Sequence, residues 1–275
     1  MAACGGSAAL AATTTTISLA FPVGEDLTVT AGPIVRTDDA GMYAGYATFY
    51  PSDLLVDFFT YGGAWATNNL SSTGSGAGAV YTIGDSGFSV SGNYVSYNGD
   101  DSSAGIGTDE SSSSSSWQLF YGGEAFGGKL LAQLGYAFEQ NNGATFATKA
   151  GAAANSSGDG EGYSIAAAWQ PEDSGLIPSI STGFSSFDAD DSSDEVQGWY
   201  VGLEWSDVFI EGNSFGGAIG SAPNTGENDD NTIWEVFYSM SVTDNITVTP
   251  AVFGAESDGA DADSFGGLVK TTFKF

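Results

Sequence analysis

From Gly87 to the C-terminus, apolar positions alternate with small or polar ones at a period of two. Leu130, Ala132, Leu134, Tyr136 and Phe138 fall on one face, and Lys129, Leu131, Gln133, Gly135 and Ala137 on the other. The same alternation sets apart Tyr163, Ile165, Ala167 and Trp169, then Trp199, Val201, Leu203 and Trp205, then Trp234, Val236, Tyr238, Met240 and Val242. The last segment opposes Phe265, Gly267, Val269, Thr271, Phe273 and Phe275 to Gly266, Leu268, Lys270, Thr272 and Lys274. This period predicts β-strands with unlike faces, about ten of them after Gly87. Further strands are predicted over Thr14–Phe21, Leu27–Val35 and Gly76–Ile83. Met42–Tyr61 is apolar on both faces, is interrupted at Pro51, and reads as two strands or as one with a bulge.

The connections alternate as well. Gly84–Gly87, Gly122–Gly128, Pro171–Gly175, Ser206–Asn213 and Thr243–Asn245 are short. Asn98–Ser116, Gln140–Gly160, Asp188–Glu195, Ser221–Asn231 and Gly254–Ser264 are long or acidic. Tight turns at one rim and long loops at the other are the signature of a barrel threaded through a membrane, whereas a soluble sandwich has no reason to sort its loops. The predicted fold is all-β: a transmembrane antiparallel up-and-down β-barrel of about 14 strands, within roughly 12–16. It occupies residues 14–275, after a residual N-terminal segment at 1–13. No apolar run is long enough for a membrane helix, but a barrel strand needs only about 9–11 alternating residues.

Charge sharpens this picture. There are 34 acidic residues against 5 basic ones, no histidine, and a net charge of −29. Such a surface repels nucleic acid. A chain that is 41% hydrophobic and 13% aromatic is too apolar for disorder. The acid lies in blocks, as at Asp188–Glu195 and Glu256–Asp263, separated by nearly uncharged walls. Without histidine, Ser-His-Asp, Cys-His and His-bearing zinc chemistry are excluded in their usual forms. Asp190-Asp191 and Asp229-Asp230 sit in polar loops with little apolar surface nearby, so they read as solvated charge rather than acid–base dyads. The chain is expected to be no enzyme and to need no cofactor or metal. Cys4 alone supports neither a disulfide framework nor a metal cluster.

The residue types suggest a wall around water. The non-greasy face is rich in Gly, Ser, Ala and Thr, which fits a wet lumen. Lys129, Lys270 and Lys274 fall on that face, where a lysine costs little; facing lipid at mid-membrane it costs about 2–4 kcal/mol. With Gln133, Tyr200, Glu204 and Glu235 they form the expected pore lining. Trp169, Trp199, Trp205 and Trp234 stand near strand ends, as an interfacial aromatic girdle requires. Phe273 and Phe275 end the last strand at the short-turn rim, where they are expected to be read by barrel-assembly machinery. The acidic loops predict mild cation preference.

Val242-Thr-Asp-Asn-Ile-Thr-Val-Thr-Pro250, joined to Gly267-Leu-Val-Lys-Thr-Thr-Phe-Lys-Phe275, resembles the cyanobacterial outer-membrane porins of the carbohydrate-selective (OprB-like) class. Asp207–Gly212 followed by Gly216–Gly220 resembles the preceding hairpin of that family, and Leu27–Pro33 and Gly74–Val80 match it more loosely. The resemblance implies an outer-membrane porin, usually trimeric, through which small solutes, inorganic ions and sugars diffuse passively. Family members carry an N-terminal surface-layer-homology domain and a coiled segment that are not found here. Met1-Ala-Ala-Cys-Gly-Gly lacks the basic and apolar regions of an intact signal peptide, so either the chain is a fragment, N-terminally truncated, or its export signal has been removed. The alternative reading is a barrel adhesin or receptor whose acidic loops bind a partner or calcium. A soluble acidic β-sandwich is third.

Overall fold

The computed structural model describes residues 16–51, 54–68, 70, 73–141, 158–173, 175–190, 195–224, 232–256 and 263–274. The expected N-terminal segment 1–13 and Phe275 lie outside them. Among the described residues, thirteen strands form one sheet in strict sequence order: β1 (Ile17–Val23), β2 (Leu27–Arg36), β3 (Thr73–Thr82), β4 (Phe88–Ser96), β5 (Ser113–Ala125), β6 (Gly128–Gln140), β7 (Gly160–Pro171), β8 (Ser179–Ala189), β9 (Val196–Ser206), β10 (Ser214–Asn224), β11 (Thr232–Thr243), β12 (Ile246–Ala255) and β13 (Ser264–Phe273). Every neighbouring pair is antiparallel. The ten strands expected after Gly87 are all present.

Thirteen strands stand against the expected 14 or so because the described residues of Met42–Tyr61 form none. With an odd count, β1 and β13 run in the same sense, from the long-loop rim to the short-turn rim. Among the described residues, neither has a partner on its outer edge.

Turn chemistry fixes the short rim. Between β5 and β6 only Phe126 and Gly127 intervene, with φ of 55° and 72°, and Ala125 pairs with Gly128. Two successive positive φ values define a tight hairpin turn whose twist matches that of the strands. Phe126 bears the left-handed conformation without being glycine and points into the surroundings, 87% exposed.

The two faces are the reverse of a soluble sandwich. In β7, Gly162, Ser164, Ala166 and Ala168 are buried, while Tyr163 and Ile165 are more than half exposed. In β8, Ser179, Ser181, Gly183 and Ser185 face inward, and Ile180 and Phe184 outward. Exposed apolar side chains continue around the wall through Val90, Leu119, Leu134, Ile219, Val236, Val252 and Val269. In water, each large one costs about 1.5–3 kcal/mol relative to burial, and a belt this wide exceeds what soluble monomers expose. In lipid the same belt is stabilising, and the ladders between neighbouring strands satisfy their backbone groups without water.

Leu134 and Ile165 are cross-strand partners in the middle of this belt. Leu134→Lys is expected to lower the stability of the detergent-folded protein by about 2–4 kcal/mol in a bilayer titration, whereas Thr272→Lys, at an exposed inner-face position beside a cavity, avoids the lipid penalty. Equal losses for the two substitutions count against outer-face lipid contact.

Candidate functional site: an internal segment and the cavities beside it

Between β2 and β3 the chain turns inward. Arg36 and Asp38 form a 3.0 Å ion pair at the exit from β2, and Asp39 accepts the Arg36 N–H at 2.9 Å. Ala40 and Tyr43 close a turn, and residues 44–51 then run without helix or strand. A 3-10 turn over Asp57–Tyr61 and one helical turn, α1 (Trp65–Asn68), complete the segment. This is why Met42–Tyr61 is apolar on both faces: it lies inside the barrel with wall on either side, so no alternation is imposed on it.

A segment without a ladder must satisfy its backbone with side chains. The inner wall supplies them in sequence. Asn93 of β4 donates to the carbonyls of Thr37 and Met42 at 3.0 and 2.9 Å. Gln118 of β5 accepts the Ala44 N–H at 3.0 Å and donates to the Gly45 carbonyl at 3.0 Å. Gln118 and Gln133 both donate to Oδ1 of Asn68, at 3.1 and 2.8 Å. Ser181 and Ser185 of β8 take the Phe49 N–H and the Gly63 carbonyl, at 2.9 and 2.6 Å. On the far side, Glu235 of β11 accepts three hydrogen bonds: Tyr50 OH at 2.7 Å, Leu55 N–H at 3.1 Å and Val56 N–H at 2.9 Å.

Burial, and then the neighbouring Glu235 carboxylate, push the Tyr50 phenol far above its ordinary range, so it remains a donor. Its ring packs edge-on against Phe59, Tyr200 and Phe237, at centroid distances of 6.0, 6.2 and 6.0 Å.

Small residues on the wall make room for this filling. A Cβ on Gly183 falls 2.0 Å from the Gly62 carbonyl oxygen, and one on Gly202 falls 2.5 Å from the Tyr50 ring. The inner-face glycines and serines that suggest an open lumen therefore also serve as the seat of the segment.

Three of the expected pore-lining residues have this other role. Gln133, Tyr200 and Glu235 face inward as expected, but they are 2%, 0% and 1% exposed beneath the segment. They hold it instead of facing water, because a long polar side chain on an otherwise small-residue wall can reach the interior backbone. The remaining inward residues line two cavities on the short-turn side. The first, about 330 Å³, is bounded by Glu124, Lys129, Gln170, Glu172, Glu204 and Asp207 among others. The second, about 240 Å³, lies between Pro51 and Leu54 of the segment and Ser214, Ser239, Thr249, Lys270 and Thr272 of the wall, with Glu204 again at its edge. Lys274 is exposed at the short-turn rim, its N–H bonded to the Asn245 carbonyl at 2.9 Å, and lines neither cavity.

The tryptophans divide between the rims. Trp169 and Trp205 stand at the short-turn ends of β7 and β9, their indole N–H groups donating to the carbonyls of Ala125 and Leu176 at 3.1 and 3.0 Å. Trp199 and Trp234 lie toward the long-loop ends, Trp234 packing 6.0 Å from Phe265. Trp117, Tyr136 and Tyr163, overlooked in the sequence reading, extend the long-loop row; Trp117 pairs with Tyr136, and Tyr136 with Tyr163. Trp199 and Trp205 are six residues apart on one face, about 20 Å along the strand. Phe273 is 56% exposed on the outer face.

The fold is that of a porin-type β-barrel. Pseudomonas putida OprB, in a high-pH structure, superposes with a TM-score of 0.60 at 18% identity, over 90% of this chain and 69% of that one. Pseudomonas aeruginosa OccK11 (OpdR) gives 0.50 at 10% identity, over 94% of this chain and 70% of the other. At these identities the likeness defines the fold alone. No protein-family model matches the chain, and no curated protein sequence matches it.

Proposed function

We propose that the chain is a bacterial outer-membrane porin that lets small solutes and ions diffuse passively, with mild cation preference. The observation that carries this reading is the inverted wall: an apolar belt outside, and inside it a polar lining with cavities between wall and internal segment. The porin-type fold and the sequence resemblance to carbohydrate-selective porins agree with it, and sugars join inorganic ions among the proposed solutes. In the same reading the barrel is a trimer, as such porins usually are, and Phe273 with Phe275 addresses it to the assembly machinery. Lys129, Glu204 and Lys270 are the proposed pore-lining residues. No step of covalent chemistry is required, since the fold performs the function.

The test is reconstitution of the detergent-folded protein into planar bilayers under a potassium chloride gradient. Discrete conductance steps with a cation-selective reversal potential are expected; a silent bilayer refutes the porin. The adhesin or receptor reading gains one specific observation, the hydrogen-bonded segment that narrows the interior. A silent bilayer together with heat-modifiable migration on gels favours it.

A further inference from the structure

The two interior cavities have one residue in common, Glu204. Its place follows from strand geometry. Tyr50 of the internal segment packs on Gly202, and Glu204 is the next residue on the same face, one same-face step of about 6.6 Å nearer the short-turn rim. It is therefore the first charged wall position beneath that ring. On one side it faces the cavity that contains Lys129, and on the other the cavity that contains Lys270. The first cavity is more acidic than basic, with Glu124, Glu172 and Asp207 beside its one lysine; the second contributes hydroxyls and Lys270. An ion in either cavity lies beside Glu204, whereas each lysine borders one cavity only.

We propose that Glu204 is the specificity-determining residue of this channel, the group that sets the balance between permeant cations and anions where the two cavities meet. The proposal rests on the porin reading and deepens it. It assigns the selectivity to the wall beneath the segment and not to the acidic outer loops. A unit charge about 5 Å from a permeant ion alters that ion's local concentration about fourfold even at the dielectric constant of bulk water. The lower dielectric of a narrow passage enlarges the effect, and screening by salt reduces it.

The experiment measures reversal potentials in planar bilayers for the whole protein, for Glu204→Gln, for Glu204→Lys, and for Glu110→Gln in the long β4–β5 connection. Each protein is first checked for heat-modifiable migration. The expected result is about a sixteenfold fall in the cation-to-anion permeability ratio for Glu204→Gln, fourfold from each sign of ion before screening by salt, inversion for Glu204→Lys, and no change for Glu110→Gln. A second readout uses Glu204→Cys in a Cys4→Ser background, where a charged methanethiosulfonate reagent lowers unit conductance. If the wild type conducts but all three Glu204 variants leave selectivity and labelling unchanged, the proposal is overturned while the porin stands. If the wild type does not conduct, the porin reading fails, and the proposal with it.

Discussion

Replacing Glu235 with alanine is expected to raise unit conductance and to make it noisy, with open levels fluctuating where the parent is steady. The carboxylate is 1% exposed and accepts from Tyr50 OH and the N–H groups of Leu55 and Val56. Alanine removes the acceptor for all three donors at once. An unmet buried donor costs about 1–3 kcal/mol, so the segment loses about 3–9 kcal/mol of local fixation unless it moves to reach water. Moving is the cheaper course, because polar-lined cavities lie beside the segment on the short-turn side. Each strand ladder is independent of the segment, so the barrel persists while its filling loosens.

Glu235→Gln separates the causes. The amide keeps one acceptor oxygen and turns a donor toward at least one N–H or O–H, so an intermediate phenotype is expected. Limited proteolysis of the folded protein between Tyr43 and Phe59 gives a second measure, with faster cleavage in Glu235→Ala. A steady, unchanged conductance in that variant shows that the segment is not held from β11.

Much of the fold was legible because lipid outside and water inside impose opposite demands on alternate residues. β4 to β13 follow from that alternation, and so do their rims, since turn length and acidity sort with strand direction. The inward setting of Lys129 and Lys270 was legible for the same reason: a lysine tolerates only one of the two faces.

What stayed hidden was the fate of Met42–Tyr61. Phe59 and Tyr50 are buried on all sides by other parts of the same chain, and a segment with no solvent or lipid face carries no period. A usable signal was nevertheless present. Asn93, Gln118, Gln133 and Glu235 are long polar side chains set among Gly, Ser and Ala, on faces where a simple water-filled tube needs nothing of that reach. Such residues report a polar backbone opposite them. Of these, Gln133 and Glu235 read as pore lining because the sequence marks their face but not what fills the space in front of it; Asn93 and Gln118 carry the same signal and were missed.

The second large effect is expected from the smallest change, Gly183→Ala. The added methyl falls 2.0 Å from the Gly62 carbonyl oxygen, and the Gly63 Cα is 3.0 Å away. Both are backbone atoms, so no side-chain rotation relieves the clash. Gly62 and Gly63 hold φ of 67° and 72°, a left-handed turn that carries their backbone against β8.

β8 itself is fixed on both edges, by β7 and β9, so the segment must yield. Its withdrawal breaks the Ser185 hydrogen bond to the Gly63 carbonyl and strips Trp65 and Ala66 of contact with Phe187. The expected result is a barrel that still migrates heat-modifiably but conducts at least as strongly as Glu235→Ala, because a backbone clash forces the segment off the wall whereas Glu235→Ala only removes hydrogen bonds. Ser185→Ala is the control: it removes the same hydrogen bond without the clash, at about 0.5–1.5 kcal/mol, and conductance close to the parent's is expected. If Gly183→Ala conducts like the parent, the segment does not rest on β8, and the seat inferred from the inner-face glycines is wrong.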